Sequence, residues 1–313
     1  MFVCVSLNPA IDKRLRLDRL QPGKVNRVSE ITRAAGGKAV HVAMVLQTLG
    51  GEPLWLGFAG GAAGDDLLEG LRKLSIPAEL VPTASSTRTN LEILEDGGGV
   101  TEILEPGGNV GCAELERMTD TFRKIVSKYA KAATAILSGS QPPGLPEDYC
   151  RTLIELAHHH GSKVFVDTSG EAFRAALAGH PDFVKPNREE AESWRGEKME
   201  GIQSAESVLN AILDAGAAAG AITLGAAGLI WRSANEKALF ANGPELAARS
   251  CVGSGDATLA GFAFAAQQGF TAAESVRLAA ACGSANCLGD GPGRARAEDI
   301  ARLRKEIEVR IAE

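Results

Sequence analysis

The chain has 313 residues, 45% hydrophobic and 23% charged, enough to bury a large core as one α/β domain or as a domain with an appendage. A formal charge of −6 disfavours a nucleic-acid or membrane-surface partner, because phosphate backbones reward basic surfaces. A small anionic substrate is still allowed, since a pocket needs only local positive charge.

Short, apolar, β-rich runs alternate with helical patterns along most of the chain. FVCVSL, PLWLGFA, TAILSGS, KVFVDT, DFVKPN and GAITLG read as strands buried on both faces. Ala39–Leu49, closed by Gly50-Gly51, and Glu114–Ala130 read as helices between them. The alternation predicts a right-handed, doubly wound, mostly parallel sheet flanked by helices. Arg14–Gly37 and Thr89–Gly108 break the rhythm: apolar and polar residues alternate around turn signals, as in antiparallel hairpins. Two such hairpins can pair into a small sheet capping the main one; as surface meanders they would have no role.

The opening MFVCVSL lacks the basic region of a secretory leader. No uninterrupted apolar run approaches the ~20 residues of a membrane span. Six scattered cysteines without a Cys-x-x-Cys pair read as buried hydrophobes of a reducing compartment. A cytoplasmic protein without a membrane partner is expected. His158-His159-His160 suits a helix C-terminus, and Trp55, Trp194 and Trp231 are isolated and read as packing residues.

In an open parallel sheet, ligands bind beyond the carboxyl ends of the strands. Asp12, after the first strand, can bond the hydroxyls of a polyol; alone it reads as well as a turn cap. Gly36-Gly37-Lys38 opens a helix, where glycine lets the backbone approach an anion and Lys38 adds charge. It is not a P-loop, because Ala39 stands where Ser or Thr is required. Arg88, at the base of the second hairpin, can clamp a phosphate or simply be solvated. The loop from Ser138 to Pro146 can offer hydroxyls to a ligand or be a structural turn. Lys185 can reach a nucleotide phosphate, while Asn187 and Glu190 offer oxygens to a hydrated Mg²⁺, although Asn-x-x-Glu is also an ordinary helix start. Gly253, Ser254 and Gly255 can aim backbone N–H groups at a phosphoryl group, with Asp256 beside them to accept a hydroxyl proton. Taken together, these segments describe a phosphoryl-transfer site.

NPAID, AAGGKAVHVA, TRTN, LSGSQPPGLP, VDTSGEA, KPNREEAE, TLGAAGLIW and VGSGDATLAGF, in this order, resemble the ribokinase-like (PfkB-type) carbohydrate kinases over essentially the full length. The closest resemblance is to their sugar-phosphate branch of 1-phosphofructokinases, tagatose-6-phosphate kinases and minor 6-phosphofructokinases. The resemblance implies a single kinase domain over residues 1–313, with a β-sheet lid from about 12–35 and 87–106. It implies Asp256 as catalytic base and Gly253 to Gly255 as anion hole. Asp12, Gly36, Gly37, Lys38, His41, Arg88, Asn90 and Ser138 would hold the sugar phosphate. Lys185, Asn187, Thr223, Gly225, Gly228, Ser250 and Asn286 would serve ATP, and Asn187 and Glu190 would serve Mg²⁺. Relatives imply a K⁺-like cation near Ser250 and Val252 and a homodimer through the lid.

The family pattern Gly-Gly-Lys-Gly-x-Asn is broken by Ala39 and His41. Imidazole is larger than the Asn amide that normally helps hold the sugar, so the sugar accepted can differ. The resemblance implies ATP-dependent phosphorylation of a ketohexose monophosphate, fructose 1-phosphate first, with tagatose 6-phosphate and fructose 6-phosphate next. A kinase of an unphosphorylated sugar or nucleoside, and a silent sugar-phosphate sensor, are the alternatives.

Overall fold

The computed structural model describes residues 1–312. The chain begins β1 (Phe2–Ser6), β2 (Ala10–Leu17), β3 (Glu30–Gly36), α1 (Lys38–Thr48), β4 (Pro53–Ala59), α2 (Gly61–Lys73) and β5 (Ala78–Pro82). It continues through β6 (Arg88–Glu95), β7 (Val100–Leu104), α3 (Cys112–Tyr129), β8 (Thr134–Ser138), α4 (Tyr149–His159), β9 (Lys163–Asp167) and α5 (Gly170–Ala178). Next come β10 (Phe183–Val184), α6 (Arg188–Arg195), α7 (Ile202–Asp214), β11 (Ala219–Thr223), β12 (Leu229–Ser233) and β13 (Leu239–Ala241). It ends with α8 (Ser254–Gln268), α9 (Ala272–Leu288), α10 (Ala297–Glu306) and β14 (Val309–Ile311).

Among the described residues the main sheet has ten strands in the order β14-β13-β12-β11-β10-β9-β8-β1-β4-β5. It is parallel from β5 to β11, and the remaining three strands join antiparallel at one edge. The six strands read from the sequence all lie in the parallel part. Strand alternation sorts the core to either side of the sheet. In β1, Phe2 and Cys4 pack with α1, α8 and α9, while Val3 and Val5 pack with α3, α4 and α7. Both faces are therefore covered, as a parallel sheet requires.

Each of the two hairpins forms, β2 with β3 and β6 with β7, and β2 pairs in parallel with β6 to make a separate four-stranded sheet. Register puts Asp12, Asn90 and Leu104 in one cross-strand row and Arg14, Glu92 and Glu102 in the next. This face overhangs the carboxyl ends of the main strands. The chain leaves β1 toward β4 on one side and returns to β8 on the other, so the strand order reverses there, the usual place for a ligand crevice. His158 lies in the last turn of α4 and bonds Asp182 at 2.9 Å.

Candidate active site

Between the two sheets lies a cavity of about 1280 Å³. Its walls take Asn8 from the turn after β1, Ser138 from the end of β8, Asp167 from the end of β9 and Lys185 from the turn after β10. The small sheet contributes Asp12, Arg88 and Asn90.

At one end, His41 on α1 lies between two carboxylates from opposite ends of the chain. Its Nδ1 is 2.8 Å from Asp256 Oδ2 and its Nε2 is 2.9 Å from Asp12 Oδ2. Neutral imidazole carries one N–H, so holding both acids calls for the doubly protonated ring. Burial alone would disfavour that charge, but the bonds to Asp12 and Asp256 outweigh it and push the His41 pKa up to about 10. Burial likewise works against charge on Asp12, yet its bonds to His41 and Asn90 hold its pKa below the ordinary value. Asn90 donates to Asp12 Oδ1 at 3.1 Å, and its own Oδ1 is buried without a partner. Ser138 Oγ is also buried without a partner. Gly36 makes room for this cluster, because a Cβ there would overlap the Asp12 carboxyl.

Arg88 stands at the rim. It donates to the Asn8 carbonyl through Nε and Nη2 and to the Glu105 carbonyl through Nη1 at 2.7 Å. Three of its five N–H groups are thereby used, which fixes the plane and leaves two to donate.

Lys38 turns away from this end. Its ammonium is 3.1 Å from Asp167 Oδ1 and 3.7 Å from Glu190 Oε1, while Lys185 is 3.0 Å from Asp167 Oδ2. Burial opposes charge on Lys38, but Asp167, Glu190 and Asp256 raise its pKa above the ordinary value. Burial opposes charge on Asp167 as well, yet Lys185 and Lys38 lower its pKa. The motif reading passed over Asp167, although the polar end of KVFVDT marks it. Asn187 and Glu190 form a capping box on α6: Asn187 Oδ1 accepts from the Glu190 N–H, and Glu190 Oε2 accepts from the Asn187 N–H.

The far end is walled by backbone turns. Thr223, Gly225 and Gly228 line it opposite the start of α8. A Cβ on Gly228 would overlap the Ala241 carbonyl, which explains the glycine there. Gly253 caps α8 with φ 79°, a left-handed conformation suited to glycine. The Ser254 N–H is already donated to the Cys251 carbonyl at 3.1 Å. The other first-turn N–H groups of α8 have no intrahelical acceptor. A Cβ on Gly255 would come within 3.2 Å of Lys185 Nζ, so this turn and that ammonium face one point.

Two residues expected to border the nucleotide lie behind the wall. Asn286 is buried, donating to the Val252 carbonyl and accepting from the Gly293 N–H, both at 2.8 Å. Ser250 is buried and donates to Glu92 at 3.2 Å. Both shape the loop before α8, because their polar atoms are committed to it or to the small sheet. Glu92 and Arg14, joined at 2.7 Å, escaped the motif reading because their alternating strands look solvated on that face.

Residues 4–298 match the pfkB family carbohydrate kinase profile. The chain is 38% identical over 287 residues to a 1-phosphofructokinase of Xanthomonas campestris pv. campestris, covering 89% of this chain and 88% of that protein. The structure of phosphofructokinase-2 from Escherichia coli in complex with potassium superposes with a TM-score of 0.90 at 26% identity, covering 98% of both chains. The tetrameric inhibited form of the same enzyme gives 0.89 at 25% identity, covering 97% of this chain and 98% of that one. Among the described residues no helix is long and apolar enough to cross a membrane. With its α/β sheet, separate small sheet and matched profile, the chain belongs to the pfkB family of carbohydrate kinases and is an ATP-dependent sugar kinase.

Proposed function

We propose that this kinase transfers the γ-phosphoryl group of ATP to the free primary hydroxyl of a ketohexose monophosphate, with fructose 1-phosphate the preferred acceptor. The observation that carries the reading is the Asp12–His41–Asp256 bridge beside the unpartnered Asn90 Oδ1 and Ser138 Oγ. Buried polar atoms without partners are costly, and sugar hydroxyls are fitted to satisfy them. The named relative, a 1-phosphofructokinase, supports the choice of sugar.

In this reading Asp12 and Asn90 orient the sugar, and Arg88 holds its phosphate with the two N–H groups left to it. His41 holds Asp256 by Oδ2, so Oδ1 takes the proton of the attacking hydroxyl. Both His41 nitrogens serve carboxylates, which makes it a positioning residue rather than a replacement for the family's Asn. As the hydroxyl oxygen bonds to the γ-phosphorus, the bond to the β-phosphate oxygen breaks and ADP leaves. The free N–H groups at the α8 start, Lys185 and Lys38 stabilise the charge on the transferred group and on ADP. The donors also fit Mg²⁺: Glu190 Oε1 is outside the capping box, and Asn187 lines the cavity beside it. No group of three or more acidic, His or Cys side chains placed to hold a metal ion occurs among the described residues. Glu190 and Asn187 would therefore hold a largely hydrated ion, which when bound neutralises phosphate charge.

The reading extends to the small sheet as a lid that closes over the sugar and excludes water. On its outer face Ile31, Leu15 and Ile93 share a cross-strand row, with Ile31 53% and Ile103 51% exposed, which supports a homodimer through the lids. A K⁺-like ion beside the loop at Val252 is supported by the potassium complex of the Escherichia coli enzyme. Six free thiols suit a cytoplasmic setting.

The test is ADP release with Mg-ATP across fructose 1-phosphate, fructose 6-phosphate, tagatose 6-phosphate and fructose. The highest kcat/KM is expected with fructose 1-phosphate. A preference for fructose itself would overturn the phosphate-clamp role of Arg88, and binding without turnover would make the protein a sensor.

A further inference from the structure

Cys251 and Cys287 bring their sulfurs to 3.5 Å across the nucleotide end of the cavity, and both line it. Cys251 sits on the loop before the α8 turn and is exposed. Cys287 is one residue from the end of α9, half-buried, with its sulfur 3.2 Å from Ser254 Oγ. The loop is already tied to α9 on either side of the thiols: the Arg249 N–H donates to the Cys287 carbonyl at 2.8 Å, and Asn286 holds Val252. Cys4, Cys150 and Cys282 are buried elsewhere.

We propose that Cys251 and Cys287 form a reversible modification site, a dithiol that low-molecular-weight disulfides oxidise to an intramolecular disulfide. The Cys251 thiolate attacks one sulfur of the small disulfide, forming a mixed disulfide and releasing one small thiol. Cys287 then loses its proton to solvent and attacks the Cys251 sulfur, forming the protein disulfide and releasing the second small thiol. Both protein sulfurs are oxidised, and the small disulfide is reduced to two thiols.

The order follows from exposure. Cys251 is open to the reagent, whereas burial, only partly offset by its bond to Ser254, pushes the Cys287 thiol up to about 11. The sulfurs must close from 3.5 Å to the ~2.05 Å of a disulfide, a movement the loop can take up. That movement draws the Cys287 sulfur from Ser254 and pins the loop that leads into the α8 turn. For its effect on turnover, the inference rests on the reading of this end as the ATP site. Bond formation itself does not.

The test incubates the full-length, fully reduced protein with oxidised glutathione and maps cross-linked peptides by non-reducing mass spectrometry. Binding of a non-hydrolysable ATP analogue is measured before and after. A Cys251–Cys287 linkage is expected, slowed by the bound analogue and reversed by dithiothreitol, with nucleotide affinity weakened roughly tenfold or more. Each of C251S and C287S, compared with its own reduced form, should form no linkage and keep its affinity. An adduct that stays on Cys251 would overturn the proposal, and a linkage that leaves nucleotide binding unchanged would overturn its effect on the ATP site. Absence of turnover in the fully reduced protein would instead count against the kinase reading, since linkage and analogue binding are scored without turnover.

Discussion

The two ends of the cavity are built in different ways. The end proposed for the sugar is made of side chains: Asp12, His41 and Asp256 meet there from β2, α1 and α8, and Asn90 joins from β6. The end proposed for the nucleotide is made of backbone, where Gly228 and Gly253 permit close approach and Asn286 braces the loop from behind. Charge at the first end is mutual, so each side chain depends on its partners. Shape at the second end is held by turns that ignore most side chains. In the proposed reading, a change at the first end alters how the sugar is held without rebuilding the second.

The largest loss is expected at Asp256. D256N should lower kcat by ~10²–10⁴-fold, the usual worth of a positioned base, in steady-state assays. ATP affinity should be nearly unchanged. G36A should come next: its Cβ overlaps the Asp12 carboxyl, and a displacement of about 1 Å at a reacting centre can cost ~10²-fold. Sugar titrations should show the loss at saturating ATP, with nucleotide binding retained.

Arg88→Ala should raise KM for the sugar phosphate by about tenfold to a hundredfold, the range of a charge-assisted hydrogen bond. Turnover of unphosphorylated fructose should not fall, which separates phosphate recognition from damage to the fold. Asn187→Ala should lower stability by about 1 kcal/mol through loss of the α6 cap, read as a shift in urea midpoint.

The pH dependence of stability tests the charged ring directly. His41 is raised from 6.5 to about 10 in the folded chain. A raised pKa stabilises the fold fully below the unfolded value and loses that contribution as pH rises through the folded value. The Tm difference between the wild type and H41N should therefore be widest near pH 6 and shrink toward pH 10. A difference independent of pH would mean that the ring does not hold the second proton.

Much of this architecture was legible because buried parallel strands are short and apolar without interruption, as in FVCVSL and KVFVDT. The antiparallel edge was less so: β14 has three residues and is placed by β13, not by any pattern of its own. Motif spacing marked Asp12, His41 and Asp256 but not the bonds among them, since Asp256 lies 215 residues beyond His41 in sequence. Glu92 was hidden for a related reason. It occupies the polar face of an alternating strand, a face that normally meets solvent, yet here that face is a cavity wall and Glu92 is 5% exposed. Lys38 was visible as a charge at a helix start, but its turn toward Asp167 depended on an acid from a different strand.

The most direct measurement is ³¹P NMR of fructose 1-phosphate mixed with Mg-ATP and the reduced enzyme. A second phosphomonoester resonance, that of the new 6-phosphate of fructose 1,6-bisphosphate, should grow in step with ADP. ATP consumed to inorganic phosphate without a bisphosphate, or no consumption at all, would contradict the proposed function.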